Sequence, residues 1–193
     1  MYSIKTLCKI LIFILTFLIN YQVSAQVNVL NGRVLYRYEN DSVSALLWYQ
    51  EGKQSGWQHY YYPNGQLQAK EYWKKDYPQD TAWYYFETGT LEKTGTYKEG
   101  LYEGKWLFYY PSGRIKRAGQ YSNGLPTGYW HFYHDNGMNW QQGSFVDGKE
   151  TGVWTYFDYQ GNATFEGTFS EGARVGEWYK FKKNGEKKKW RTY

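Results

Sequence analysis

The sequence predicts an all-β protein, an elongated single-layer antiparallel sheet built from successive 24-residue β-hairpin repeats. Three observations lead there. Glycine recurs at a step of 24 residues as Gly65, Gly89, Gly113, Gly137, Gly161 and Gly185, with no insertion. Between the glycines, Trp, Tyr and Phe fall at the two-residue period of strands bounded by Gly, Pro, Asn and Asp. Finally, the chain is hydrophilic on average, with a mean hydropathy of −0.81, yet 22% of its residues are aromatic. Rings, rather than an aliphatic interior, must therefore supply the core.

In chain order, residues 1–25 read as a secretory signal. Lys5 and Lys9 precede the apolar run Ile10 to Ile19, and "VSA" at Val23 to Ala25 offers a cleavage site, so the mature chain is expected to start at Gln26. The run ends at Asn20 and Gln22, short of the roughly 20 apolar residues a membrane span needs. The expected location is exported: periplasmic, outer-surface or extracellular. Cleavage removes Cys8, the one cysteine, and with it any disulfide or thiolate site. It also lowers Lys plus Arg from 23 to 23 − 2 = 21 against 18 Asp plus Glu, so the net charge falls from +5 to +3. Residues 26–31 form a linker. The array then occupies 32–193, whose 162 residues make 162/24, or 6.75, units.

Each unit carries two further glycine columns, Gly56, Gly104, Gly128, Gly152, Gly176 and Gly52, Gly100, Gly124, Gly148, Gly172. A tryptophan column, Trp106, Trp130, Trp154 and Trp178, keeps the same step. "PNG", "PSG", "DNG", "YQG" and "KNG" read as two-residue hairpin loops in which an Asn-Gly type of pair supplies positive φ. With Ser112-Gly113 as such a loop, Pro111 faces Arg114 and cross-strand partners sum to 225, which sets Trp106 opposite Gly119. The same rule sets Trp130 opposite Gly143 and Trp154 opposite Gly167, each indole expected to lie over the glycine it faces. Gln58 faces Glu71, having lost both partners. Ala82 with Gly95 and Trp178 with Arg191 break the rule, and Trp178→Ala is expected to cost less stability than Trp130→Ala. Gly113, Gly137 and Gly161 at the turns, with Gly119, Gly143 and Gly167 beneath the rings, complete the structural set. Trp106, Phe108 and Tyr110 share one face with Tyr121, while Leu107 and Tyr109 point the other way.

"GKWLFYYPSG", "GYWHFYHDNG" and "GVWTYFDYQG" carry a Gly-x-Trp-x-aromatic-aromatic-x-x-x-Gly signature that resembles the MORN repeat in its bacterial variant form. "GEWYKFKKNG" fits apart from Lys180; "GWQHYYYPNG" has its Trp one place early, and "DTAWYYFETG" has it one place late and lacks the first glycine. The resemblance covers Gly32 to Tyr193. It implies some 13 strands extending roughly 60 Å. It also implies a scaffold or binding surface, sometimes at membranes; many bacterial variants are labelled antitoxins of toxin-antitoxin systems, so an immunity-like inhibitor of a partner protein is an alternative role.

The residues offer little catalytic chemistry. His131 and His134 lie three apart on one strand, on opposite faces, and His59 is distant, so no metal site is expected. Glu99, Asp147 and Glu171 fill one loop position and read as turn residues. No nucleophile elbow, phosphate loop or His-Glu-x-x-His occurs. A non-enzyme with no cofactor and no small-molecule substrate is expected.

Two features suggest a partner. The column Tyr61, Tyr85, Tyr109, Tyr133, Phe157, Phe181 should lie opposite the tryptophans, with Trp140 across from Tyr133, as a ladder that grips a partner or, alternatively, only covers its own sheet. The segment Lys180 to Arg191, with Lys182, Lys183, Lys187, Lys188 and Lys189, could attract an anionic surface, or serve to blunt a free strand edge. The expected function is a non-catalytic exported scaffold for protein-protein contact in the cell envelope. A module binding envelope glycan or anionic lipid is the alternative, and nucleic acid fits poorly because the cations are confined to one end.

Overall fold

The computed structural model of the chain describes residues 30–193; the expected signal segment and its cleavage site lie outside them. The described residues form one open antiparallel sheet of fifteen strands. They are β1 (Gly32–Arg37), β2 (Val43–Gln50), β3 (Lys53–Gln54), β4 (Gly56–Tyr61), β5 (Leu67–Lys74), β6 (Tyr77–Tyr85), β7 (Leu91–Lys98) and β8 (Leu101–Tyr109). The second half holds β9 (Ile115–Ser122), β10 (Leu125–Tyr133), β11 (Asn139–Val146), β12 (Lys149–Phe157), β13 (Ala163–Ser170), β14 (Ala173–Phe181) and β15 (Lys187–Thr192). Neighbours in sequence are neighbours in the sheet throughout; β3 alone sits off the path, paired to β2. The count exceeds the 13 expected because the final partial unit still supplies two strands, β14 and β15, and a break at Ser55 divides one long strand into β3 and β4.

The predicted cross-strand register is present, but the turn expected to set it is not. Trp106 pairs with Gly119 and Phe108 with Arg117, as the sum of 225 requires; Tyr109, however, pairs with Ile115, one short. The loop is three residues long, Pro111-Ser112-Gly113, closed by Tyr110 N–H to Arg114 O at 2.8 Å, with Gly113 N–H returning to Tyr110 O at 2.8 Å. Gly113 takes φ +82° and Ser112 stays outside the left-handed region, which is a type I turn followed by a glycine in the left-handed conformation. A bulge just inside the strand restores the lost residue. The two-residue loops lie at the opposite edge instead: Glu99-Gly100, Asp147-Gly148 and Glu171-Gly172 have φ of +51° and +83°, +48° and +80°, and +50° and +80°. These are the paired positive angles of a type I′ turn, so the acids there are turn residues, as the sequence suggested.

A second irregularity builds the core. Between hairpins, Gly119 stands opposite the three residues Gly128, Tyr129 and Trp130, because pairing slips between Thr127 and His131. The extra residues swing the indole back across the sheet, onto the glycine of the preceding hairpin. Trp106 therefore lies on Gly95, Trp130 on Gly119, Trp154 on Gly143 and Trp178 on Gly167. This corrects the expectation that each indole covers the glycine it pairs with: the covering residue sits 11 positions later. The exception at Gly95 then follows the rule. Gly95 is needed because Trp106 follows it, whereas Glu71 is followed by Ala82. Asp80, at φ +66°, takes the left-handed place of the missing glycine.

The four indoles are 0–2% exposed, Trp178 included at 1%, so the last ring is as buried as the others. Along the array they alternate edge-to-face with Tyr97, Tyr121, Phe145, Phe169 and Tyr193, with ring centres 5.1 Å apart for Tyr121–Trp130 and Phe145–Trp154. Each of the first three donates Nε1–H to the backbone: Trp106 to Thr96 O at 3.0 Å, Trp130 to Gln120 O at 3.2 Å and Trp154 to Ser144 O at 3.2 Å. Gln58, fully buried, replaces the indole two repeats before Trp106 and reproduces the bond, Nε2–H to Trp48 O at 2.9 Å. Where Ala82 leaves room, Glu71 accepts from Trp73 Nε1–H at 2.7 Å and from the Tyr84 hydroxyl. Tyr84 in turn lies 2.8 Å from the Tyr97 hydroxyl.

Candidate interaction surfaces

The predicted ladder exists as a row on the face away from the indoles. Tyr61, Tyr85, Tyr109, Tyr133, Phe157 and Phe181 are all half-buried, each ending an outgoing strand and pairing with Leu67, Leu91, Ile115, Asn139, Ala163 and Lys187 in turn. Successive ladder rings are two strands apart, about 10 Å, too far to cover one another, so each leaves an edge free between units. The backbone of the row is tied down from behind. Tyr38, Tyr62 and Tyr110 donate their hydroxyls to the carbonyls of Tyr61, Tyr85 and Tyr133 at 2.7, 2.8 and 2.7 Å. His134 Nε2 lies 3.3 Å from Phe157 O in the same relation.

Trp140 does not join this row. The partner of Tyr133 is Asn139; Trp140 occupies the bulge beside it, which turns its ring to the tryptophan face, 6.4 Å from Phe132 and 6.3 Å from His134. His131 faces the other way, stacked on Tyr133 at 6.1 Å. The two histidines thus stand on opposite faces, and among the described residues no group of His, Cys, Asp and Glu could hold a metal ion.

The basic segment lies on β15, the last strand, and its approach, with Lys180, Lys182, Lys183, Lys187, Lys188, Lys189 and Arg191 all exposed. Lys182 pairs with Glu186 at 2.9 Å, while Lys187 and Lys189 pair with Glu166 and Glu177. Lys180 and Lys188 face each other across strands, and the Arg191 guanidinium lies 5.5 Å from the Trp190 ring centre. About half of the positive charge is therefore already matched or laid on a ring. Glu177 titrates below its usual range because Lys189 and Tyr179 donate to it.

Sequence reasoning passed over a third surface. Trp57 and Trp83, one place early and one place late in their units, do not join the core; alternation along the strand puts them on the ladder face. Their ring centres are 6.0 Å apart, and Tyr72 meets Trp57 edge-on at 5.3 Å. The Lys70 ammonium sits 4.5 Å from the centre of Trp57 and 5.7 Å from that of Trp83. Trp48 stands nearby with the Arg33 guanidinium 5.4 Å from its ring. Trp48 and Trp57 are each 41% exposed. The signal lay in the parity: a tryptophan displaced by one residue changes face.

No family model matches the chain, and no curated protein does. One solved structure, a glycosylation associate protein (Gap123) complex from Streptococcus agalactiae, aligns with 55% of this chain and 20% of that chain at 16% identity and a TM-score of 0.31. This chain thus spans about a fifth of the other's length, and so slight a likeness carries no argument. Among the described residues no helix is long and apolar enough to cross a membrane.

Proposed function

We propose that the chain is a non-catalytic repeat scaffold of the MORN-variant type, exported, and used for protein-protein contact in the cell envelope. The observation that supports this reading is the ladder. A row of half-buried rings at constant spacing, its backbone pinned by the preceding unit, is a preorganised surface for an extended partner, because little side-chain or loop freedom is lost on binding. An inhibitor that holds a partner protein along the same row is a special case of this role.

The test is capture of envelope proteins on the immobilised chain and on Tyr109→Ser with Tyr133→Ser. Protein retained at high salt by the parent and lost by the variant supports the reading, since apolar contacts resist screening. Equal capture by both overturns it. A thermal melt run beside Trp106→Ala separates binding from folding: a polar residue on a solvated strand face should cost within about 0.5 kcal/mol.

A further inference from the structure

The ring cluster at the N-terminal end of the array is more than the fold needs. Later units place Thr81, Lys105, Tyr129, Val153 and Glu177 at the position of Trp57, and Tyr72, Thr96, Gln120, Ser144, Thr168 and Thr192 at that of Trp48. The sheet is built equally well there without an indole. Yet here two exposed indoles border an open hollow of about 530 Å³, completed by Leu46, His59, Tyr61 and Arg33. That volume is within the range of about 300 to 1,000 Å³ typical of small-ligand sites.

The lining fixes the chemistry of an occupant. Indole faces are electron-rich and apolar, and they accept the C–H face of a flat, hydroxylated ring. Arg33 and Lys70 lie over those indoles, and neither forms an ion pair among the described residues. No carboxylate lines the hollow. Arg33 lines the hollow, and Lys70 stands beside it, across strands from the lining residue His59 and against the Trp57 ring; the N–H groups of both can donate to an anion. His59 titrates below its ordinary range, because burial and then the charges of Lys70 and Arg33 disfavour its protonated form, so it offers a neutral ring nitrogen to a hydroxyl.

We propose that this hollow binds an acidic oligosaccharide, with a pyranose stacked on Trp48 and Trp57 and a uronate carboxylate held by Arg33 and Lys70. Two cations match one or two carboxylates. Single-stranded nucleic acid would need a longer positive track, since its affinity comes from neutralising many phosphates. A protein partner requires roughly 800 Å² on each side, a broader contact than this recess. The ladder's first ring, Tyr61, borders the hollow, but the proposal does not depend on the ladder's role.

The full chain should be titrated with tetragalacturonate, following tryptophan fluorescence and heat, with maltotetraose, an oligothymidylate of equal charge and phosphatidylglycerol vesicles in parallel. Tetragalacturonate is expected to bind with a Kd on the order of 100 μM and maltotetraose about tenfold more weakly. Trp57→Ala should weaken both sugars about tenfold, and Lys70→Gln should abolish the preference for the uronate. Tyr109→Ser should change neither, which separates this site from the ladder. The proposal is overturned by no response to tetragalacturonate at millimolar concentration, by unaltered affinity in Trp57→Ala, or by tighter binding of the oligothymidylate or the vesicles. Should Trp57→Ala fail to fold, Lys70→Gln decides: an unchanged uronate preference overturns the assignment.

Discussion

A methyl group added at Gly119 would sit 2.0 Å from the Trp130 ring, and one at Gly104 would meet nothing within 4 Å. The two glycines are thus required for different reasons, space at the first and the left-handed backbone, φ +64°, at the second. Gly119→Ala should cost about 3 kcal/mol, since an overpacked site must displace an indole held on both sides. Gly104→Ala should cost about 1 kcal/mol, from backbone conformation alone. Urea denaturation of the two variants checks the difference, and equal losses would contradict the contact. The indole nitrogens allow a second comparison. Trp130 Nε1–H has backbone acceptors at 3.2 and 3.1 Å in Gln120 and Thr127, whereas Trp178 Nε1, equally buried, has no hydrogen-bond partner among the described residues. An unsatisfied buried donor is costly, so Trp178→Phe should be milder than Trp130→Phe by about 1 to 2 kcal/mol.

At the scale of the hairpin, the two edges of the sheet use different turns: the type I′ edge puts a non-glycine residue in the left-handed region, whereas at the other edge a glycine takes that place in every turn after the first, where Asp41 holds φ +67°. Glu99 holds φ +51° with a Cβ, a conformation that costs a non-glycine residue roughly 1 kcal/mol or more. Glu99→Gly should therefore stabilise the protein slightly, by about 0.5 to 1 kcal/mol after the added freedom of the unfolded chain is counted; a loss of stability on thermal melting would argue against the turn assignment. The period and the pairing of Trp106 with Gly119 were legible in the sequence, because glycine and aromatic columns repeat without insertion. The turn type was not. A loop one residue longer than expected and a bulge that restores the count leave the same partners in register, so the pairing rule could not reveal either. The indole contact was hidden likewise by the three-against-one bulge, which no spacing within a single hairpin records.

Across the whole molecule, the N-terminal units are the polar ones. Half-buried tyrosines collect there: burial first, then the charge of Glu71, pushes Tyr60 up to about 12. Tyr84 and Tyr97 also lie above the ordinary tyrosine range, burial again the largest cause. For groups whose folded pKa is raised, the contribution to stability is complete below the unfolded value of 10 and is lost as pH climbs from 10 through 12. Alkaline titration should therefore unfold the array in that window, with tyrosinate absorbance rising together with loss of the circular dichroism of the sheet; tyrosines ionising well before the sheet is lost would contradict it. The same N-terminal region carries the candidate site least visible in the sequence. Trp57 and Trp83 look like misplaced copies of the core tryptophan when units are aligned, and their role emerges once the alternation of faces is followed. The ladder was visible, because it keeps the repeat; the exposed rings depart from it.

The offset of 11 residues between each glycine and the ring that covers it gives the array a direction. Each of the four hairpins from β6 to β13 presents an empty socket to the one made after it: Gly95 waits for Trp106 and Gly167 for Trp178. As the chain is synthesised, a nascent hairpin already rests its own indole on finished structure and leaves bare only a small glycine patch. Shortening the protein from its C-terminal end would repeat that situation, uncovering sockets. Shortening it from the N-terminal end would strip the seat from beneath a tryptophan.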